Sequence, residues 1–109
     1  MRYMGVDFDH TLCDGAGQPI GPMVNRIKSW RAAEIEVRII TARMSPLDYS
    51  EAIISVNERV IRRWCLEHLG EELPVQWGKS SGMICLWDDK VICVEPDTGR
   101  IISSGSYTS

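Results

Sequence analysis

The residues best suited to chemistry stand together near the start of the chain, in Asp7-Phe8-Asp9-His10-Thr11. They follow the apolar run Tyr3-Met4-Gly5-Val6, which reads as a buried strand ending at Asp7. In extended backbone, residues two apart point to the same side, so Asp7 and Asp9 are expected to share one side of a strand end. Two carboxylates there make a poor core. They suit a divalent cation, and they can divide the roles of nucleophile and acid/base between them. A single Asp would be an ordinary acidic turn; Asp-x-Asp-x-Thr behind an apolar strand is a more specific pattern.

Three further polar features follow apolar runs: Thr41 with Arg43, then Lys79, then Asp88-Asp89. The elements that must position them alternate. Pro22 opens a helix whose apolar stripe is Met23, Val24, Ile27, Trp30 and Ala33, ending near Glu34. Val37 to Ile40 is a second strand. Ser45-Pro46 reads as a helix N-cap with Pro in the first turn, and a long amphipathic helix, with room for one break, runs to Leu69 with Gly70 as its stop. Val75 to Trp77 is a third strand, and Met83 to Trp87 a fourth, apolar enough to be covered on both faces. Val91 to Val94 and Arg100 to Ile102 flank a turn-rich spacer and read as a hairpin. The pattern predicts an α/β fold with a mostly parallel sheet and helices on both faces, a three-layer sandwich. Ligands of such sheets bind outside the carboxyl ends of the strands, where all four polar features would meet.

Taken singly, each has an ordinary explanation: a strand-end hydroxyl, a solvated lysine, an acidic turn. Gathered on one rim they suit phosphoryl transfer. Asp7 would attack phosphorus, and a hard cation such as Mg²⁺, bound by Asp7 and the Asp88/Asp89 pair, would offset the repulsion between carboxylate and phosphate. Thr41 would donate to a phosphoryl oxygen. Lys79 would supply positive charge and keep Asp7 ionised. Asp9 would protonate the leaving oxygen and later deprotonate water.

This order of motifs, from Tyr3 to about Lys90, resembles the haloacid dehalogenase (HAD) superfamily of phosphohydrolases. The resemblance implies a Rossmann-like fold, Mg²⁺, Asp7 as nucleophile and Asp9 as acid/base, with the Asp9 main-chain carbonyl also on the metal. It implies Thr41 and Lys79 on phosphate and Asp88/Asp89 on metal, with Asp89 the direct ligand because other members carry Gly-Asp there. Ile40-Thr41-Ala42-Arg43 and Trp87-Asp88-Asp89-Lys90 look like small capless members, including the phosphatase half of polynucleotide kinase–phosphatases. In that group an arginine follows the second motif, which makes Arg43 a candidate phosphate contact. The chain departs from the pattern at His10, where Gly is common, and in a trimmed region after Asp89. Neither usual insertion point has room for a cap, so an open site is expected, one that takes a bulky substrate or uses a second copy of the chain as lid. The substrate implied is a nucleotide, a sugar phosphate or a nucleic-acid 3′-phosphate.

The bulk properties agree with one domain over residues 1–102 and a Ser/Gly-rich tail, 103–109. The chain has 109 residues, a net charge of −3 and 25% charged residues, without the basic run that a nucleic-acid-coating protein needs. The four cysteines form no Cys-x-x-Cys pair, and three lie in apolar runs; buried reduced thiols in a cytoplasmic protein are expected. No segment is long and apolar enough for a bilayer. Of the four tryptophans, Trp30 and Trp64 fall in helical stripes and are expected to pack; Trp77 and Trp87 fall in strands just before Lys79 and Asp88, where packing is expected and stacking on a base or sugar is the alternative. Tyr49 is a candidate rim contact. Two other readings use the same residues: a receiver domain, whose acids would stand in a different order along the strands, and a non-catalytic protein on this fold.

Overall fold

The computed structural model describes residues 2–90 and 93–103. Four strands, β1 (Tyr3–Asp7), β2 (Val37–Ile40), β3 (Val75–Gln76) and β4 (Met83–Trp87), form one sheet in the order β3-β2-β1-β4, and every pairing is parallel. Helix α1 (Gly21–Ala32) links β1 to β2, and α2 (Glu51–Leu69) links β2 to β3. This is the Rossmann-like α/β fold expected from the sequence. A separate antiparallel hairpin joins β5 (Cys93–Val94) to β6 (Ile101–Ser103), across a turn where Glu95 pairs with Arg100. Val91, Ile92 and most of the expected tail, 104–109, lie outside the described residues.

The chain lays down β1, β2 and β3 in one direction and then returns to the far side of β1 for β4. The ends of β1 and β4 therefore flank the point where strand order reverses, the usual crevice of an open parallel sheet. Alternation along the strands makes the two faces different. Met4, Val6, Val37, Ile39 and Val75 face a core completed by Met23, Val24 and Ile27 of α1 and by Ile61, Cys65 and Leu69 of α2. Val6, Ile39, Ile61 and Cys65 are wholly buried, and the three aliphatic side chains contribute about 1.5–3 kcal/mol each.

Helices on both faces were expected; among the described residues both cover this one face. The second face carries Tyr3, Gly5, Arg38, Ile40 and Gln76. Across it the connection 77–82 returns to β4 without a helix. The Tyr3 hydroxyl fastens that connection, accepting from the Ser80 main-chain N–H at 2.9 Å and from Gln76 Nε2 at 3.0 Å. The Arg38 guanidinium lies 4.0 Å over the Tyr3 ring. Gly5 is required here by close approach. A Cβ on it would stand 2.8 Å from Met83 Cε and 3.1 Å from Ile40 Cγ1, side chains that close over β1 from its two neighbours.

Several local expectations need correction. Ser45 does cap, but only a single turn: its Oγ accepts from the Leu47 N–H at 3.2 Å, and its carbonyl accepts from Tyr49 at 3.1 Å. Ser50 is then extended and caps the real helix, accepting from the Ile53 N–H at 3.3 Å, so α2 starts at Glu51. Gly70 ends it at φ 85°, as expected. Ile53, Val56 and Val60 of the anticipated stripe are 44–51% exposed, because only the flank of α2 bearing Ile61, Cys65 and Leu69 meets the sheet. β4 is not covered on both faces. Among the described residues it is an edge strand with Ile84 and Cys85 exposed, since none of their strands lies beyond it and no helix precedes it. Cys13 and Cys65 are the buried free thiols anticipated, and burial pushes Cys65 up to about 11. Trp30 packs on Trp87 and Trp64 on Phe8, whereas Trp77 is 46% exposed beyond the short β3. Among the described residues, no helix is long and apolar enough to cross a membrane.

Candidate metal and phosphate site

Asp7 is the last residue of β1, and Asp88 and Asp89 follow β4 directly, so pairing of two adjacent parallel strands brings the three acids to one sheet edge. One carboxylate oxygen from each lies within 4.8 Å of the other two. All three are half-buried. Asp7 is raised from the ordinary 3.8 to about 6, first by burial and then by the negative charges of Asp88, Asp89 and Asp9. Asp89 goes the other way. Burial pushes it up, but the Lys90 ammonium, 3.2 Å from Oδ2, together with hydrogen bonds from Asp88 and the main chain, outweighs this and holds it below the usual carboxylate range. The Lys90 N–H also donates to Asp88 Oδ1 at 2.9 Å, closing a tight turn that aims the pair. A set of three hard oxygen donors fits Mg²⁺, and a divalent cation would relieve the repulsion recorded in Asp7.

Asp9 is not part of this cluster. The chain turns sharply after β1, with His10 in the left-handed region at φ 64°, Leu12 and Cys13 both donating to the Phe8 carbonyl, and the Thr11 hydroxyl buried without a partner among the described residues. That left-handed φ explains why Gly suits the position; His is one of the residues that tolerates it. The turn carries Asp9 to Arg43 instead. Arg43 Nε donates to Oδ2 at 2.9 Å and a terminal nitrogen to Oδ1 at 2.6 Å, a two-bond fork. The fork pushes the Arg43 guanidinium above its ordinary range.

Thr41 and Arg43 reach the rim because β2 ends in a short 3₁₀ turn, Ala42–Met44, rather than in a helix. Thr41 is buried, and its Oγ1 accepts the Arg43 N–H at 3.2 Å, which leaves its hydroxyl proton for another acceptor. Asn57 of α2 donates to the Arg43 carbonyl at 2.8 Å and ties this turn to the helix.

Lys79 follows β3. It lies exposed on the connection that crosses the second face, makes no hydrogen bond or ion pair among the described residues, and is not among the charges acting on Asp7. Lys90, on the other acidic tip, is the ammonium bonded to this cluster. Two residues here had no role in the sequence reading. Lys90 was legible as the cation directly after Asp88-Asp89. Asn57 was legible as an amide beside Ile61 and Trp64 on the inner side of an amphipathic helix, where an amide needs a partner.

Compared with models of protein families, with curated proteins and with solved structures, the chain gives no match.

Proposed function

We propose that the protein is a Mg²⁺-dependent phosphomonoesterase of the haloacid dehalogenase type, acting through an aspartyl-phosphate on Asp7. The observation that carries this reading is the convergence of Asp7 with Asp88 and Asp89 at the switch point of a parallel sheet, with three carboxylate oxygens within 4.8 Å. Asp7, Asp88 and Asp89 would hold the cation, which when bound supplies charge neutralisation between carboxylates and phosphate.

The chain's own residues divide the remaining work. Asp7 Oδ attacks phosphorus. The Thr41 hydroxyl donates its free proton to a phosphoryl oxygen. Asp9, two residues on, would give a proton to the leaving oxygen and take one from the attacking water. Arg43 offers a guanidinium on the same rim. No cap covers Asp7, Asp9 and Arg43 among the described residues, so the substrate class extends to a nucleotide, a sugar phosphate or a nucleic-acid 3′-phosphate. The fork that holds both oxygens of Asp9 favours a second reading, a metal-binding protein on this fold without turnover.

Hydrolysis of p-nitrophenyl phosphate with and without Mg²⁺ separates the two. The parent protein is expected to turn over only with Mg²⁺, and Asp7→Asn to lose about a thousandfold or more. Equal rates for the two proteins would remove the enzyme reading, and Mg²⁺ binding without turnover on a phosphomonoester panel would establish the second.

A further inference from the structure

The fork between Arg43 and Asp9 is not explained by the proposed chemistry. Asp9 must turn an oxygen toward the leaving group, yet both its oxygens are held by one guanidinium. Arg43 is meanwhile pinned at its main chain from both sides, its N–H by Thr41 Oγ1 and its carbonyl by Asn57 Nδ2. Only its side chain is left to move. The two side chains are each 39% exposed, so they can part without opening the core. A phosphoryl group offers a guanidinium the same paired acceptor geometry as a carboxylate and competes for it directly.

We propose that Arg43 is a latch worked by the phosphate of the substrate. With no phosphate present, the fork holds Asp9 away from the reacting atoms. A phosphate seated beside Asp7 takes the guanidinium, and Asp9 is released while a substrate is there to receive it. Asn57 is the positioning residue that keeps the pivot fixed. The inference rests on reading this rim as a phosphate site, and it adds a competition between Asp9 and phosphate for one cation.

The test is a double-mutant cycle on the binding of inorganic phosphate in saturating Mg²⁺, by titration calorimetry, with the parent, Asp9→Asn, Arg43→Ala and the double variant. Asp9→Asn is expected to tighten phosphate binding about three- to fivefold, the release of a half-exposed ion pair, and that gain is expected to vanish when Arg43 is absent. Arg43→Ala alone is expected to weaken binding about tenfold. Arg43→Lys keeps the charge and loses the fork, and replaces the alanine variant if circular dichroism shows the latter unfolded. A gain of equal size in both backgrounds would mean that Asp9 acts only through its charge, and it overturns the latch. So does phosphate that fails to bind, or that binds the parent and the Arg43 variant alike. Binding is read without turnover, so a protein that obeys the cycle but hydrolyses nothing removes the phosphatase reading and leaves the latch. A protein that hydrolyses phosphomonoesters with an additive cycle does the reverse.

Discussion

Replacing Asp7 by Asn should make the metal-free fold more stable, because the structure holds this carboxylate where its charge is unwelcome. Asp7 is shifted from 3.8 to about 6 by burial and by Asp88 and Asp89. A gap of roughly two pH units, at about 1.4 kcal/mol each, caps the penalty near 3 kcal/mol. Asp7 is only half-buried, so solvent screening reduces this to about 1–2 kcal/mol. The sign follows from proton linkage. Below about pH 4 the group is protonated in both states and costs nothing. Between about pH 4 and 6 the unfolded chain gives up the proton while the folded one keeps it, so stability falls as pH rises; above 6 the penalty is complete. Asn has the same shape and no such titration. Thermal unfolding by circular dichroism in EDTA should therefore show Asp7→Asn melting several degrees above the parent at pH 8, about 4–8 °C per kcal/mol, and the gap should close at pH 4. Added Mg²⁺ should raise the melting temperature of the parent and leave that of the variant unmoved. A variant less stable than the parent at pH 8, or a gap that does not narrow on acidification, would refute the electrostatic argument.

Two further outcomes test the scaffold. Tyr3→Phe removes the hydroxyl that accepts from Ser80 and Gln76 and should cost about 1–2 kcal/mol in urea unfolding, with faster amide exchange confined to the 77–82 connection. Ser50→Ala removes the true N-cap of α2 and should cost about 1 kcal/mol, more than Ser45→Ala, whose side chain serves a single isolated turn; equal costs would contradict the helix start at Glu51.

The sequence by itself determined the alternation of strands and helices, because apolar period and the punctuation of Pro22 and Gly70 are local properties. It also determined that acids would stand at the ends of the first and fourth strands of the sheet. A residue's distance from the end of an apolar run needs no knowledge of what lies beside it. Side-chain partnership does need that knowledge. Arg43 and Asp9 are separated by 34 positions, and their fork exists only because a left-handed residue at His10 swings Asp9 aside while a 3₁₀ turn carries Arg43 toward it. The burial of β4 and the place of Lys79 were beyond local reading for the same reason: both depend on the path taken from β3 to β4. That path has no helix, so the strand is left at an edge and the lysine exposed on a loop, and periodicity along one segment carries no information about which neighbours are absent.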